Sequence, residues 1–136
     1  MTHLSSETYF IPSSMERIHA YVSNPSNLEA LLPADKFRDF SASKNHCEFT
    51  ISGGIVVSLH LLSSEQKEIV SYRNGEHSSF TYCLHINLSP DTGGIYATFC
   101  FDYDAPPFVS MMVKNPLTAL MKDMAEQLVS TLSNEA

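Results

Sequence analysis

Two stretches near the middle of the chain narrow the possible folds more than anything else in it. Phe80, Tyr82, Leu84, Ile86 and Leu88 alternate with Thr81, Cys83, His85 and Asn87. After the turn signal Ser89 to Gly94, Ile95, Ala97, Phe99, Phe101 and Tyr103 alternate with Tyr96, Thr98, Cys100 and Asp102. A period of two over such lengths describes strands with one apolar and one polar face, as in an antiparallel sheet that is wet on one side. Such a sheet needs a cover for its apolar face.

The cover is at the end of the chain. From Phe108 to Leu132 the pattern turns helical, with Leu117, Leu120, Met121, Met124, Ala125, Leu128 and Leu132 on one side and Lys122, Asp123, Glu126, Gln127 and Ser130 on the other. Pro116 lies inside this helix and predicts a kink or break near Asn115.

The rest of the chain extends the sheet. Tyr9-Phe10-Ile11 reads as an opening strand ended by Pro12. Ser13 and Glu16 have capping-box spacing, so a helix follows, carrying Met15, Ile18, His19 and Val22 on one side. Asn24-Pro25 starts a second short helix with Leu28, Leu31 and Leu32, which stops before Pro33. From Phe37 the period is two again. Cys47, Phe49 and Ile51 turn at Gly53-Gly54 into Ile55 to Leu62, where Val57, Leu59 and Leu61 share a face. Glu68 to Tyr72 is a further strand, closed by Arg73-Asn74-Gly75. The order is strand, two short helices, about six antiparallel strands and one long helix. It predicts a single α+β domain over residues 1–136.

Charge excludes some functions. With 15 acidic and 8 basic residues the net charge is -7, and the basic residues form no cluster. Nucleic-acid binding by phosphate neutralisation is not expected, nor is attraction to anionic membranes. Met1 to Glu7 lacks the basic flank and apolar core of a secretory signal, and no run is long enough to span a bilayer. Cys47, Cys83 and Cys100 have no metal-ligand spacing and suit a reducing cytosol.

The element order, the segment from Phe10 to Leu28 and the closing Asn115-Pro116-Leu117 helix resemble the helix-grip superfamily. This group takes in START domains, the birch-pollen allergen family and polyketide-cyclase-like proteins, often called SRPBCC, and the chain is similar to its small bacterial members. The first segment follows the family habit of a strand ending in proline, a short helix opened by a small residue, and an asparagine-containing break before a second helix. The tryptophan that many members carry in these helices is missing, since the chain has none. The resemblance implies a curved antiparallel sheet of about seven strands wrapped round the C-terminal helix, with a cavity between them. The cavity candidates are Phe49, Val57, Leu59, Tyr82, Leu84, Ile86, Phe99, Phe101, Met112, Leu117, Met121 and Met124. Spacing alone makes them a filled core, whereas the resemblance makes them the lining of a partly open pocket. The methionines, Met111 included, supply soft surface of the kind that lines apolar sites. Tyr82 and Tyr103 bring hydroxyls inside, each needing a ligand or a backbone carbonyl as partner.

Catalytic patterns are thin. If Leu88 pairs with Ile95, Cys83 stands opposite Cys100 with His85 diagonal to it, short of the four ligands of a structural zinc. His19 could face the cavity mouth, but a general base needs an orienting carboxylate. Asp102 and Asp104 point away from the apolar face by parity and read as solvated charges. No serine sits in a nucleophile elbow, and Gly93-Gly94 is a hairpin turn rather than a phosphate loop. The reading is therefore a cytoplasmic carrier of a small hydrophobic or amphipathic ligand, such as a lipid, isoprenoid or polyketide-like compound. It needs no cofactor, metal or nucleic acid and no stable membrane insertion. The mouth is placed near the Pro25 to Pro33 arm and the Pro106-Pro107 loop, and helix movement about Pro116 would open it. A cyclase or hydratase using Tyr82, Tyr103 or His19 is one alternative. A protein-interaction module of the chaperone co-activator kind is the other.

Overall fold

The structure is a computed structural model describing residues 1–33, 35–62, 67–75, 78 and 80–133. Its elements are β1 (Thr2–Ser5), β2 (Tyr9–Ile11), α1 (Met15–Val22), a 3-10 helix (Pro25–Leu31), β3 (Phe37–Ala42), β4 (His46–Ile51), β5 (Ile55–Leu61), β6 (Ile69–Asn74), β7 (Thr81–Asp91), β8 (Gly94–Asp104) and α2 (Pro107–Ser133). The eight strands form one open antiparallel sheet in the order β1-β8-β7-β6-β5-β4-β3, with β2 also pairing with β8. The sheet wraps round α2, which packs on β1, β2, β8 and the 3-10 helix. This is the helix-grip arrangement.

Parity places the side chains as the alternation requires. Tyr82, Leu84, Ile86 and Leu88 of β7 and Ile95, Ala97, Phe99, Phe101 and Tyr103 of β8 are buried on the inner face. They meet Leu117, Leu120, Met121, Met124, Ala125, Leu128 and Leu132 of α2, joined by Val113. Burial of this one stripe explains why a helix about 40 Å long stays in one piece. It runs unbroken through Pro116, where the sequence predicts a kink or break. The proline removes a bond to the Met112 carbonyl and costs about 3 kcal/mol in a helix interior. The apolar contacts of Val113, Leu117 and Leu120 on either side outweigh it. No helix among the described residues is long and apolar enough to cross a membrane.

Several local expectations need correction. Ser14, not Ser13, caps α1: its hydroxyl accepts from the Arg17 N–H at 3.2 Å. The second short helix is present, as a 3-10 helix. Three residues per turn put Pro25, Leu28 and Leu31 on one buried face, and Asn24 caps it by accepting from the Ser26 N–H. β1 is an additional strand, whose single buried residue Leu4 leaves little alternation to read. β6 runs on to Asn74, two residues past the expected end. Gly75 follows it because of a close approach: a Cβ there would lie 2.1 Å from Ser58 Oγ.

The β7–β8 turn is tighter than the sequence suggests. Asp91 pairs with Gly94, leaving Thr92 and Gly93 as a two-residue loop with Gly93 at φ +82°. Leu88 therefore pairs with Ala97 rather than Ile95, and the register moves by two. A shift of two preserves every face but changes every neighbour.

Candidate functional site

Among the inner-face residues put forward for a pocket, Phe49, Val57, Leu59, Tyr82, Leu84, Ile86, Phe99, Phe101, Leu117, Met121 and Met124 come together, and none is more than 2% exposed. A void wide enough for a ligand would leave accessible surface on its lining. These side chains fill the space between sheet and helix. Met112 is not with them. It is 55% exposed, on a turn of α2 that it shares with exposed Phe108 and Met111.

The inward tyrosines are bonded to the protein itself. The Tyr82 hydroxyl donates to the Ser58 carbonyl (3.0 Å), accepts from the Ser58 N–H (2.8 Å) and meets Ser78 Oγ (2.9 Å). Tyr72 donates to the Val22 carbonyl at 2.6 Å, and Tyr103 meets Ser110 Oγ at 2.9 Å. Burial raises the Tyr82 phenol above its ordinary pKa, only partly offset by the Ser78 and Ser58 bonds. Burial likewise raises Tyr72 and pushes the Cys47 thiol up to about 12. The three tyrosine hydroxyls are thus held by groups of the protein itself. His19 is half-buried on α1.

The apolar interior is reached from one side of the helix. A cleft of about 180 Å³ lies between Leu32 and Pro33 at the end of the helical arm, Lys36 and Phe37 at the start of β3, Ile51 and Ser52 at the end of β4, and Pro116, Ala119, Leu120 and Asp123 of α2. Four hydrophobic core residues keep 5–7% exposure, namely Leu4, Leu32, Ile51 and Leu120. Three of them line this cleft. The core therefore thins here.

A backbone irregularity in β3 builds one wall. The β3–β4 pairing shifts register between Arg38 and Ser41, and Asp39 has φ +59°. Such a bulge re-aims the strand. As a result Phe37 and Phe40, which strict alternation would place on opposite faces, both pack against the core. Their rings meet edge to face at 6.4 Å, and Phe40 stacks on Phe49 at 5.9 Å. An aromatic run thus leads from cleft to interior. Of the residues lining the cleft, spacing points to the arm that ends in Leu32 and Pro33, the stripe member Leu120 and the hinge at Pro116, but gives no sign of Lys36, Phe37, Ile51, Ser52, Ala119 or Asp123 as lining. The helical arm and Pro116 do meet at this opening, whereas Pro106-Pro107 does not line it.

The outer face of the sheet holds a second hollow of about 530 Å³, with Leu4 and Ile69 among the polar residues that line it. Ser71, His85, Cys100 and Ser5 form one row across β6, β7, β8 and β1, and Arg73, Cys83, Asp102 and His3 form the next. Cys83 thus faces Asp102, and His85 rather than Cys83 faces Cys100, correcting the pairing drawn from Leu88 and Ile95. Asp102 Oδ1 lies 2.6 Å from His3 Nδ1, and its Oδ2 lies 3.7 Å from His85 Nε2. Ser71 Oγ lies 2.8 Å from His85 Nδ1. Asp102 is therefore hydrogen-bonded to one imidazole and lies close to a second, rather than being simply solvated. Serine, histidine and aspartate are all present, but hydrolysis also needs paired donors for an oxyanion. No three His, Cys, Asp or Glu side chains among the described residues are grouped to hold a metal ion.

No family model matches this sequence, and no curated protein matches it. Solved structures do match along nearly the whole chain. XoxI from Bacillus cereus is 14% identical, with a TM-score of 0.74 over 98% of this chain and 97% of its own. Aha1 from Colwellia psychrerythraea, solved as a dimer in solution, is 14% identical at TM-score 0.68 over 98% of each chain. A norcoclaurine synthase from Thalictrum, a point mutant in complex with a transition-state analogue, is 13% identical at TM-score 0.68, over 97% of this chain and 96% of its own. At such identities the likeness is one of fold.

Proposed function

We propose that this helix-grip protein binds a small apolar or amphipathic molecule in the cleft between its helical arm, the β3–β4 hairpin and α2. The observation that carries the reading is the apolar opening at Leu32, Phe37, Ile51 and Leu120, placed where the core is thinnest. An engineered apolar cavity of about 150 Å³ accepts benzene, so 180 Å³ suits a single ring or the end of a longer chain. Burying about 200 Å² of ligand at about 25 cal/mol per Å² contributes about 5 kcal/mol, corresponding to sub-millimolar binding before ordering costs. A longer ligand requires α2 to shift about Pro116. That movement would expose Phe49, Leu117, Met121 and Met124 behind the cleft, and with them the remaining inner-face candidates. The three free cysteines suit a reducing compartment such as the cytoplasm.

Ala119→Phe tests the reading, because Ala119 lies on the wall and is exposed. The bulkier side chain should abolish binding of ring-sized probes in ligand-observed NMR while leaving thermal stability within about 0.5 kcal/mol. Unchanged binding in that variant would place the ligand elsewhere. A second reading, a protein-docking role, is favoured by exposed Phe108, Met111 and Met112 on the first turns of α2. Co-purification of a stoichiometric partner, lost in a Phe108→Ser/Met111→Ser variant, would support it over the carrier.

A further inference from the structure

The rim of the cleft carries one charge of each sign. Lys36 and Asp123 are the charged residues among its described lining, on opposite sides of the opening, with Nζ and Oδ2 3.8 Å apart. The Asp123 side chain is 23% exposed and that of Lys36 is 56% exposed, so the carboxylate is the more embedded of the two. Nearby, Arg38 and Asp39 pair with each other at 3.2 Å. The walls inside the rim are apolar apart from Ser52.

We infer that this balanced rim selects ligands with an uncharged hydrogen-bonding head, an alcohol or phenol, over acids and amines of the same size. The inference rests on the cleft being the binding site proposed above. A ligand whose apolar end fills the cleft brings its head to the rim, within a few ångströms of both charges. A carboxylate there gains from Lys36 and loses to Asp123, while an ammonium does the reverse. Neither recovers the hydration it gives up beside apolar walls. A hydroxyl meets no such conflict. It accepts from the Lys36 ammonium, donates to the Asp123 carboxylate, and leaves the two charges paired through itself. The overall charge of -7 adds to the bias against acids.

The test uses the full chain and four probes of one size: toluene, benzyl alcohol, benzoate and benzylamine, titrated against amide resonances of Ala119 and Leu120. Toluene and benzyl alcohol should bind, with benzoate and benzylamine about threefold to tenfold weaker than the alcohol. Asp123→Asn leaves Lys36 alone and should raise benzoate affinity by a similar factor while weakening benzylamine further. Lys36→Met should reverse that preference. The exchanged pair, Lys36→Asp with Asp123→Lys, should keep the preference for the alcohol. Benzoate or benzylamine binding the unaltered protein as tightly as benzyl alcohol would overturn the inference, as would single variants that leave the ranking unchanged. Failure of toluene itself to move these resonances is a different failure. It removes the cleft as a binding site, and the head-group selection with it.

Discussion

Leu117 and Leu120 lie one turn apart on α2 and differ in one respect. Leu117 is sealed in the core, whereas Leu120 keeps 5% exposure and lines the cleft. Truncation to alanine removes about three carbons from either, a transfer loss of about 2.4 kcal/mol at about 0.8 kcal/mol each. At Leu117 the vacated space is enclosed. A residual void of about 60 Å³ at about 24 cal/mol per Å³ adds about 1.5 kcal/mol, for a total of about 4 kcal/mol. At Leu120 the space merges with the cleft and is open to solvent, so the cavity contribution falls away and the cost stays near 2.4 kcal/mol. Urea unfolding resolves the difference. With a slope of about 2 kcal/mol per M, the midpoint should fall by about 2 M for Leu117→Ala and about 1.2 M for Leu120→Ala. The Leu120→Ala cleft should also admit a two-ring probe such as naphthalene, which at a hundred times its dissociation constant would restore about 2.7 kcal/mol. Equal losses in the two variants, with no probe rescue of Leu120→Ala, would show that the cleft is not continuous with the core at this point.

Tyr72→Phe strands the Val22 carbonyl, which accepts from the Tyr72 hydroxyl at 2.6 Å, and should cost about 1–2 kcal/mol in urea unfolding with little change in slope. Alkaline pH should destabilise the fold. Cys47, Tyr72 and Tyr82 hold their protons to higher pH when folded than their ordinary values of 9.0, 10.0 and 10.0. Unfolding therefore releases protons, and their contribution is complete below about pH 9 and declines as pH rises toward 12. Urea midpoints at pH 7 and 10.5 should show that fall, and Cys47→Ala should make it shallower. Pro116→Ala returns a donor to the Met112 carbonyl and should raise stability by about 1–3 kcal/mol. Its second effect, slower entry of ligands longer than one ring by stopped-flow fluorescence, follows only if α2 moves at this proline.

What the sequence determined by itself is the sorting of side chains into inside and outside. The run from Tyr82 to Leu88, its partner from Ile95 to Tyr103, and the stripe from Leu117 to Leu132 are all buried as their spacing demands, because facing is a local consequence of the 2.0 and 3.6 periods. The inner-face residues could be named, but not whether a void lies among them. A void is the difference between the volume a curved sheet encloses and the volume its side chains occupy, and no stretch of sequence states the first quantity. Register was equally out of reach. Ser89 to Gly94 announces a turn, yet only the pairing of Asp91 with Gly94 decides that Asp102 meets Cys83, and only the separate β1–β8 register brings His3 to it. The cleft required the tertiary structure altogether. Its lining comes from three separate stretches, around Leu32 to Phe37, Ile51 and Leu120 to Asp123, and the bulge at Asp39 that turns Phe37 and Phe40 to the same side breaks the alternation from which facing is read.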